Sequence, residues 1–194
     1  MYKVIGASKS RALRVLWMLE ELGAPYEHLA VAPRSVEAVA YNPSGKIPAL
    51  VDGETVLTDS MAIITYLADK HGKLTAPAGT LARAQQDAIT FWLLDEFDAI
   101  LWAAAKHSFV LPEDMRMPAV KDVLKQEFTA SASRLAAKLD GPYLVGSEMS
   151  IADILACHCI NWSVGAGFPR VDDRLWAYGK NLRNRPAYQA AAAK

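Results

Sequence analysis

Apolar and polar positions are arranged differently in the two parts of the chain. Tyr2 to Ile5 is a short run of β-formers. After a loop at Gly6–Ser10, the stretch Ser10 to Leu22 consists of good helix formers and stops at Gly23, a residue suited to the left-handed turn after a helix. Leu13, Leu16 and Trp17 fall on one arc of that helix and Val15, Met18, Leu19 and Leu22 on another, so it is predicted to lie between two packed layers, a first hint of a second domain. Tyr26 to Val31 reads as a second strand, and a crossover of this length makes the pair a parallel, right-handed βαβ unit. Pro48 to Val51 and Glu54 to Thr58 flank Asp52-Gly53, a hairpin signal, and predict two antiparallel strands. Asp59 to His71 then has Ile63, Ile64 and Leu67 at helical core spacing, with Gly72 closing it. The sum is βαβ followed by ββα, a small mixed sheet covered by helices.

Beyond Leu81 only the helical period remains. Leu81–His107, Met117–Leu139, Ser150–Val164 and Arg174–Leu182 are the predicted helices, punctuated by Pro112, Pro118, Pro142, Pro169 and Pro186. The connector Leu74–Thr80, with Pro77 and Gly79, is the natural domain boundary. The fold class is therefore α/β followed by all-α.

Composition narrows the function more than the fold. Lys plus Arg and Asp plus Glu are 21 each, so no net field recruits nucleic acid or an anionic membrane surface. Cys157 and Cys159, two apart on a helix, diverge by about 200°, which disfavours both a disulfide and convergence on a metal and suits a reducing compartment. With no apolar leader and no long apolar span, the expected location is the cytoplasm. Patterns for Ser/His/Asp catalysis, phosphate loops and metalloproteases are absent, which removes those enzyme classes.

Three segments offer chemistry. In Asn42-Pro43-Ser44-Gly45-Lys46-Ile47-Pro48-Ala49-Leu50 a proline stands immediately before a strand, leaving ladder capacity unused and neighbouring backbone available to a ligand. Thr58-Asp59-Ser60 joins the last strand to a helix. Ser60, at or near the N-cap, and the first N–H groups suit a carboxylate, Asp59 suits an ammonium, and together they suit the zwitterionic end of an α-amino acid; an ordinary helix cap is the plain alternative. Ser8-Lys9-Ser10-Arg11 opens the first helix with hydroxyls and positive charge, surroundings that favour a thiolate. Ser150-Ile151-Ala152-Asp153 reads instead as a capping box, with a possible Met149–Ile154 staple, and is structural.

Leu19-Glu20-Glu21-Leu22-Gly23-Ala24-Pro25-Tyr26-Glu27, the Asn42–Leu50 segment, Thr58-Asp59-Ser60 with Ile63 to Leu67, and Ser150-Ile151-Ala152-Asp153 together resemble the cytosolic glutathione S-transferase superfamily, bacterial serine type. The resemblance implies a thioredoxin-like domain over residues 1–75 and an all-helical domain over 82–194 that shapes the electrophile site, in a homodimer without metal. It implies that Pro48 is a cis-proline presenting the Ile47 backbone to the cysteinyl part of glutathione. Ser60 then holds the γ-glutamyl carboxylate, Asp59 assists at the ammonium, and Lys46 meets the glycyl carboxylate. Asp59 stands where the family usually has Glu, a shorter reach. The thiolate position falls on Ser10 or Ser8, Ser10 being preferred, although ungapped alignment puts Lys9 there; Arg11 adds positive potential, and Tyr2 lies inside the first strand. The implied activity is conjugation of glutathione to a small apolar electrophile in a cleft between the domains, with Trp102, His107, Phe109 and Leu111 as lining candidates. Other glutathione-dependent reactions and a non-catalytic interaction module are the alternatives.

Overall fold

The β-forming run Tyr2–Ile5 becomes strand β1 of the computed structural model, which describes all 194 residues. Helix α1 (Ala12–Leu22) follows, and Gly23 closes it in the left-handed conformation at φ 64°. Strand β2 (Tyr26–Leu29) pairs parallel to β1, as the crossover requires. Strands β3 (Ala49–Asp52) and β4 (Thr55–Thr58) complete a sheet of order β2-β1-β3-β4, antiparallel from β1 onward. Asp52 pairs with Thr55, so the hairpin loop is Gly53-Glu54, one residue later than the sequence signal suggested. A short helix that the sequence reading did not find, α2 (Val36–Tyr41), starts where Ser35 Oγ accepts from Ala38 N–H. Six residues carry too little periodicity to be seen without that cap. Helix α3 (Ser60–His71) ends at Gly72 in the left-handed conformation.

The chain divides into two compact units, one of Met1–Ala78 with Arg183–Lys194 and one of Gly79–Leu182. The first unit is thioredoxin-like. It differs from the expected 1–75 and 82–194 division at one place, the C-terminus. Pro186 starts a further helix, α9 (Pro186–Ala192), and this packs on α1. Trp17 meets Tyr188 edge-on at 5.0 Å, and Arg185 donates to both Glu21 carboxylate oxygens, at 2.6 and 2.7 Å. Helix α1 thus packs against β1, α3 and α9 within one unit, which accounts for its two apolar arcs.

The second unit is all helical. Helix α4 (Leu81–Leu93) runs through the wider turns of Leu94–Ala99 into α5 (Ile100–Ala105), and a second wide-turn stretch, Lys106–Val110, ends that rod. Helices α6 (Val120–Lys138), α7 (Ile151–Gly165) and α8 (Asp173–Arg183) follow. Phe97, Phe128 and Phe168 form a chain of edge-to-face rings, with centroids 4.9 and 5.2 Å apart, through its core. The capping box is present. Asp153, fully buried, accepts from Ser150 N–H, Ser150 Oγ, Leu144 N–H and Tyr178 Oη at 2.7–3.1 Å. Burial pushes its carboxyl above the ordinary range while those four donors pull it down. Cys157 and Cys159 are buried thiols on α7, and no group of His, Cys, Asp and Glu is arranged to hold a metal. No helix is long and apolar enough to cross a membrane.

Candidate functional site

The sheet register brings the candidate segments to one end. Ile5 pairs with Leu29 on one side and Ala49 on the other, and Ala49 pairs with Thr58. The loop after β1, the Ile47-Pro48 step before β3 and Asp59-Ser60 after β4 therefore leave the sheet along the same edge. The first turns of α1 knit them together. A side chain at Gly6, φ 131°, would put its Cβ 2.9 Å from Ile47 Cβ and 3.2 Å from Ala12 Cβ, so glycine is what allows this approach. Two residues after Ala12, the buried Arg14 donates from its guanidinium to Ser60 Oγ at 3.1 Å.

At the start of α3 the structure decides which of two adjacent residues is the cap. Asp59 is the N-cap, and Ser60 is the first helical residue. Asp59 Oδ1 accepts from Met61 N–H at 2.9 Å and Ala62 N–H at 3.1 Å, and Ile63 N–H bonds to the Asp59 carbonyl. Its other oxygen, Oδ2, takes no hydrogen bond within the chain and is exposed with the rest of the residue. Ser60, only 3% exposed, keeps its backbone N–H without an internal acceptor. Asp59 holds this geometry at φ 70° and ψ 121°, a strained conformation for a residue with a Cβ. The end of α3 therefore offers an N–H and a hydroxyl for an anion, beside one carboxylate oxygen for a cation.

The Asn42–Lys46 turn organises itself. Asn42 Oδ1 accepts from Ser44 N–H and Ser44 Oγ, Asn42 Nδ2 donates to the Lys46 carbonyl at 2.9 Å, and the Gly45 carbonyl accepts from Arg34 N–H at 2.8 Å. A Cβ on Gly45 would lie 2.9 Å from Arg34 Cα, which excludes other residues there. Lys46 emerges exposed, and the Ile47–Pro48 peptide bond is cis. Neither Ile47 N–H nor its carbonyl takes part in the ladder, which begins at Ala49.

The two candidate serines differ. Ser10, half-buried, donates to the Ala7 carbonyl at 2.7 Å and accepts from Ala12 N–H at 3.1 Å, closing the entry to α1. Ser8 makes one exposed bond, to the Lys194 carbonyl at 3.2 Å. Lys9 is exposed and Arg11 partly so. Tyr2 is committed elsewhere, its hydroxyl 2.9 Å from His71 Nε2 at the opposite end of the sheet. Among the lining candidates in the second unit, Phe109 is 69% exposed and His107 Nδ1 accepts from Met117 N–H at 3.1 Å. A concavity of about 500 Å³ in that unit is lined by Asp95, Glu96, Ile100, Leu124, Glu127 and Arg134. Its Glu96 already takes donors from Arg134 and Ser131, whereas the Asp59–Ser60 end of the sheet keeps an open N–H and an idle carboxylate oxygen. Arg14 was missed in the sequence; its only signal there is a charge inside an otherwise apolar helical face.

Residues 10–70 match the family model for the glutathione S-transferase N-terminal domain. The chain is 35% identical over 162 residues to glutathione S-transferase-like protein OpS6 of Beauveria bassiana, covering 73% of this chain and 69% of that one. It is 30% identical over 203 residues to glutathione S-transferase 3 of Zea mays, covering 93% and 88%. The theta class glutathione S-transferase of the citrus canker pathogen Xanthomonas axonopodis pv. citri, solved with glutathione bound, superposes with a TM-score of 0.80 at 27% identity, covering 100% of this chain and 97% of that one. Fold and site thus define a thioredoxin-like domain joined to a helical one. The chain belongs to the glutathione S-transferase family.

Proposed function

We propose that the chain binds reduced glutathione at this end of the sheet and transfers its thiol to small apolar electrophiles. The observation that carries the reading is the start of α3, where Ser60 offers two donors and Asp59 Oδ2 one acceptor, the complement of a γ-glutamyl carboxylate and ammonium. Ile47 N–H and carbonyl pair with the cysteinyl backbone, and Lys46 meets the glycyl carboxylate. Ser10 exchanges the Ala7 carbonyl for the thiolate, with Ser8 as the second choice, and Arg11 adds positive potential. A hydrogen bond to the charged form, with nearby cations, lowers the thiol pKa and raises the thiolate fraction at neutral pH. The thiol proton passes to water, the sulfur lone pair forms the new bond to the electrophilic carbon, and the displaced electron pair leaves with the leaving group or on the acceptor. The reading extends to a homodimer in a reducing cytoplasm.

A second reading is favoured by one observation. Both candidate hydroxyls already donate to carbonyls, as expected of caps in a glutathione-binding module that does no chemistry.

Calorimetric titration with reduced glutathione separates these from no binding at all. Micromolar to millimolar affinity is expected, weakened by about 1–3 kcal/mol in Ser60→Ala, the size of a lost hydrogen bond to a charged group. Absence of binding to the wild type overturns both readings. A thiolate absorbance titration then divides them: a thiol pKa lowered on binding and restored in Ser10→Ala supports transfer, and an unshifted thiol leaves the binding module.

A further inference from the structure

Arg14 is an unusual residue for its surroundings. It lies on α1 between Leu13 and Val15 and one turn from Met18, and it is 1% exposed. A guanidinium stays protonated at any pH a folded protein meets, so this is a permanent buried charge. Burying such a charge costs far more than a neutral side chain of the same size would, and packing alone gives no reason for it. One of its contacts reaches the site. Its guanidinium donates to Ser60 Oγ, the hydroxyl at the open end of α3.

That bond fixes how the hydroxyl can act. With a lone pair of Oγ taken by a cationic donor, the hydroxyl hydrogen points away from the guanidinium and is presented as a donor. The adjacent positive charge also polarises the O–H and strengthens it towards an anion. The positive end of α3 adds to the same potential, since Asp59 satisfies Met61 and Ala62 but leaves Ser60 N–H open. Without Arg14 the hydroxyl is free to rotate, to accept instead of donate, and to lose its preference for a charged partner.

We infer that Arg14 is a positioning residue of the γ-glutamyl subsite, holding Ser60 as a hydrogen-bond donor and making that subsite select an ionised carboxylate over a neutral group. The inference rests on the reading that Ser60 receives this carboxylate.

The experiment compares two ligands, reduced glutathione and its analogue in which the γ-glutamyl α-carboxylate is a primary amide. Affinities are measured calorimetrically for the wild type, Arg14→Met, Arg14→Lys, Ser60→Ala and the Arg14→Met/Ser60→Ala double variant. Arg14→Met is expected to weaken glutathione by ~10- to 100-fold, the range of a charge-assisted hydrogen bond, while the amide analogue loses less than ~3-fold. In the double variant the loss should be close to that of Ser60→Ala alone, because both changes remove the same interaction. Arg14→Lys, which keeps the charge but not the rigid fork, should restore part of the carboxylate preference. Equal losses for both ligands, or losses that add in the double variant, overturn the inference and make Arg14 a structural residue. If Arg14→Met does not fold, Arg14→Lys carries the test: a carboxylate-to-amide preference reduced at least ~3-fold supports the inference, and an unchanged preference overturns it. A wild type that binds neither ligand overturns the underlying reading instead, whereas binding that is sensitive to Ser60→Ala but not to Arg14 overturns this inference alone.

Discussion

Two helices of this chain begin with the same pair of side chains and use them oppositely. At α7, Ser150 and Asp153 form a closed set in which every oxygen of a fully buried carboxylate is taken: Oδ1 by Leu144 N–H and Tyr178 Oη, Oδ2 by Ser150 N–H and Oγ. Ser150 sits in relaxed extended backbone at φ −129°. At α3, Asp59 and Ser60 form an open set. One carboxylate oxygen caps the helix and the other is idle, Ser60 N–H has no internal acceptor, and the arrangement is held at φ 70°. A helix start that exists for folding satisfies itself, and one that exists for a ligand keeps donors in reserve and carries strain that the fold must hold in place.

The largest effect expected from this contrast is at the closed end. Asp153→Ala leaves two backbone N–H groups and two hydroxyls without their acceptor, three of these partners being buried residues or buried bonds. A loss of about 2–5 kcal/mol of stability is expected, read from thermal or urea unfolding. A loss comparable to that of an exposed cap would show that the set is not the keystone of the second unit. Next comes the open end, where Ser60→Ala should cut glutathione affinity by about 1–3 kcal/mol and lower stability by less than Asp153→Ala, because one buried Arg14 donor loses this acceptor where Asp153→Ala strips the acceptor from four groups. If Ser60→Ala instead destabilises the fold as Asp153→Ala does, the contrast between the two ends fails.

Much of this was legible in the sequence, and the part that was not has a common cause. The βαβ-ββα order, the closing glycines Gly23 and Gly72, and the Ser150–Asp153 box depend on neighbours close along the chain, and local propensity reports them. The sequence leaves open which of Asp59 and Ser60 caps α3, because either residue can cap and the Asp59 side chain is seen to do so only in the fold. Three features depend on partners distant in sequence. Arg14 looks misplaced until Ser60, 46 residues on, is seen beside it. The final helix was assigned to the helical domain because nothing local says that Arg185 will meet Glu21, 164 residues earlier. The need for Gly6 appears only when Ile47 is against it.

A pair of substitutions at Asp59 sharpens the contrast by the sign of its effect. Asp59→Ala removes the cap and keeps the strained φ, so stability should fall by about 1 kcal/mol. Asp59→Gly also removes the side chain, but glycine adopts positive φ freely, and relief of about 1–3 kcal/mol of strain outweighs the lost cap and the added freedom of the unfolded chain. Thermal unfolding should therefore rank Asp59→Gly at or slightly above the wild type and Asp59→Ala below it. Ser150→Gly, where no strain is relieved, should only destabilise. Both Asp59 variants should bind glutathione more weakly through the lost ammonium partner. A wild type more stable than Asp59→Gly would mean that the backbone at Asp59 is relaxed and the open end costs nothing to hold.

The smallest effect tests whether α3 is open at one end only. Its last turn is closed: Gly72 N–H reaches the Ala68 and Asp69 carbonyls, and Lys70, suited to the negative end of the helix dipole, donates to Asp52 Oδ2 at 2.5 Å and to Tyr66 Oη at 2.9 Å. The Lys70 ammonium, and after it the Tyr66 hydroxyl at 2.6 Å, hold the Asp52 carboxyl below its ordinary pKa. A depressed carboxyl binds its proton less tightly in the folded chain than in the unfolded one. Its stabilisation is therefore fully present above the unfolded value of about 3.9 and is lost as pH falls through the folded value. Lys70 and Asp52 remain 42% and 24% exposed, so solvent and salt screen most of the interaction. Asp52→Asn should lower the unfolding midpoint only slightly near neutral pH, with the difference from the wild type shrinking as the pH drops below about 4 and as salt is added. A difference that grows on acidification would reverse the sign and show that the pair does not anchor this end of the helix, leaving α3 unsatisfied at both ends.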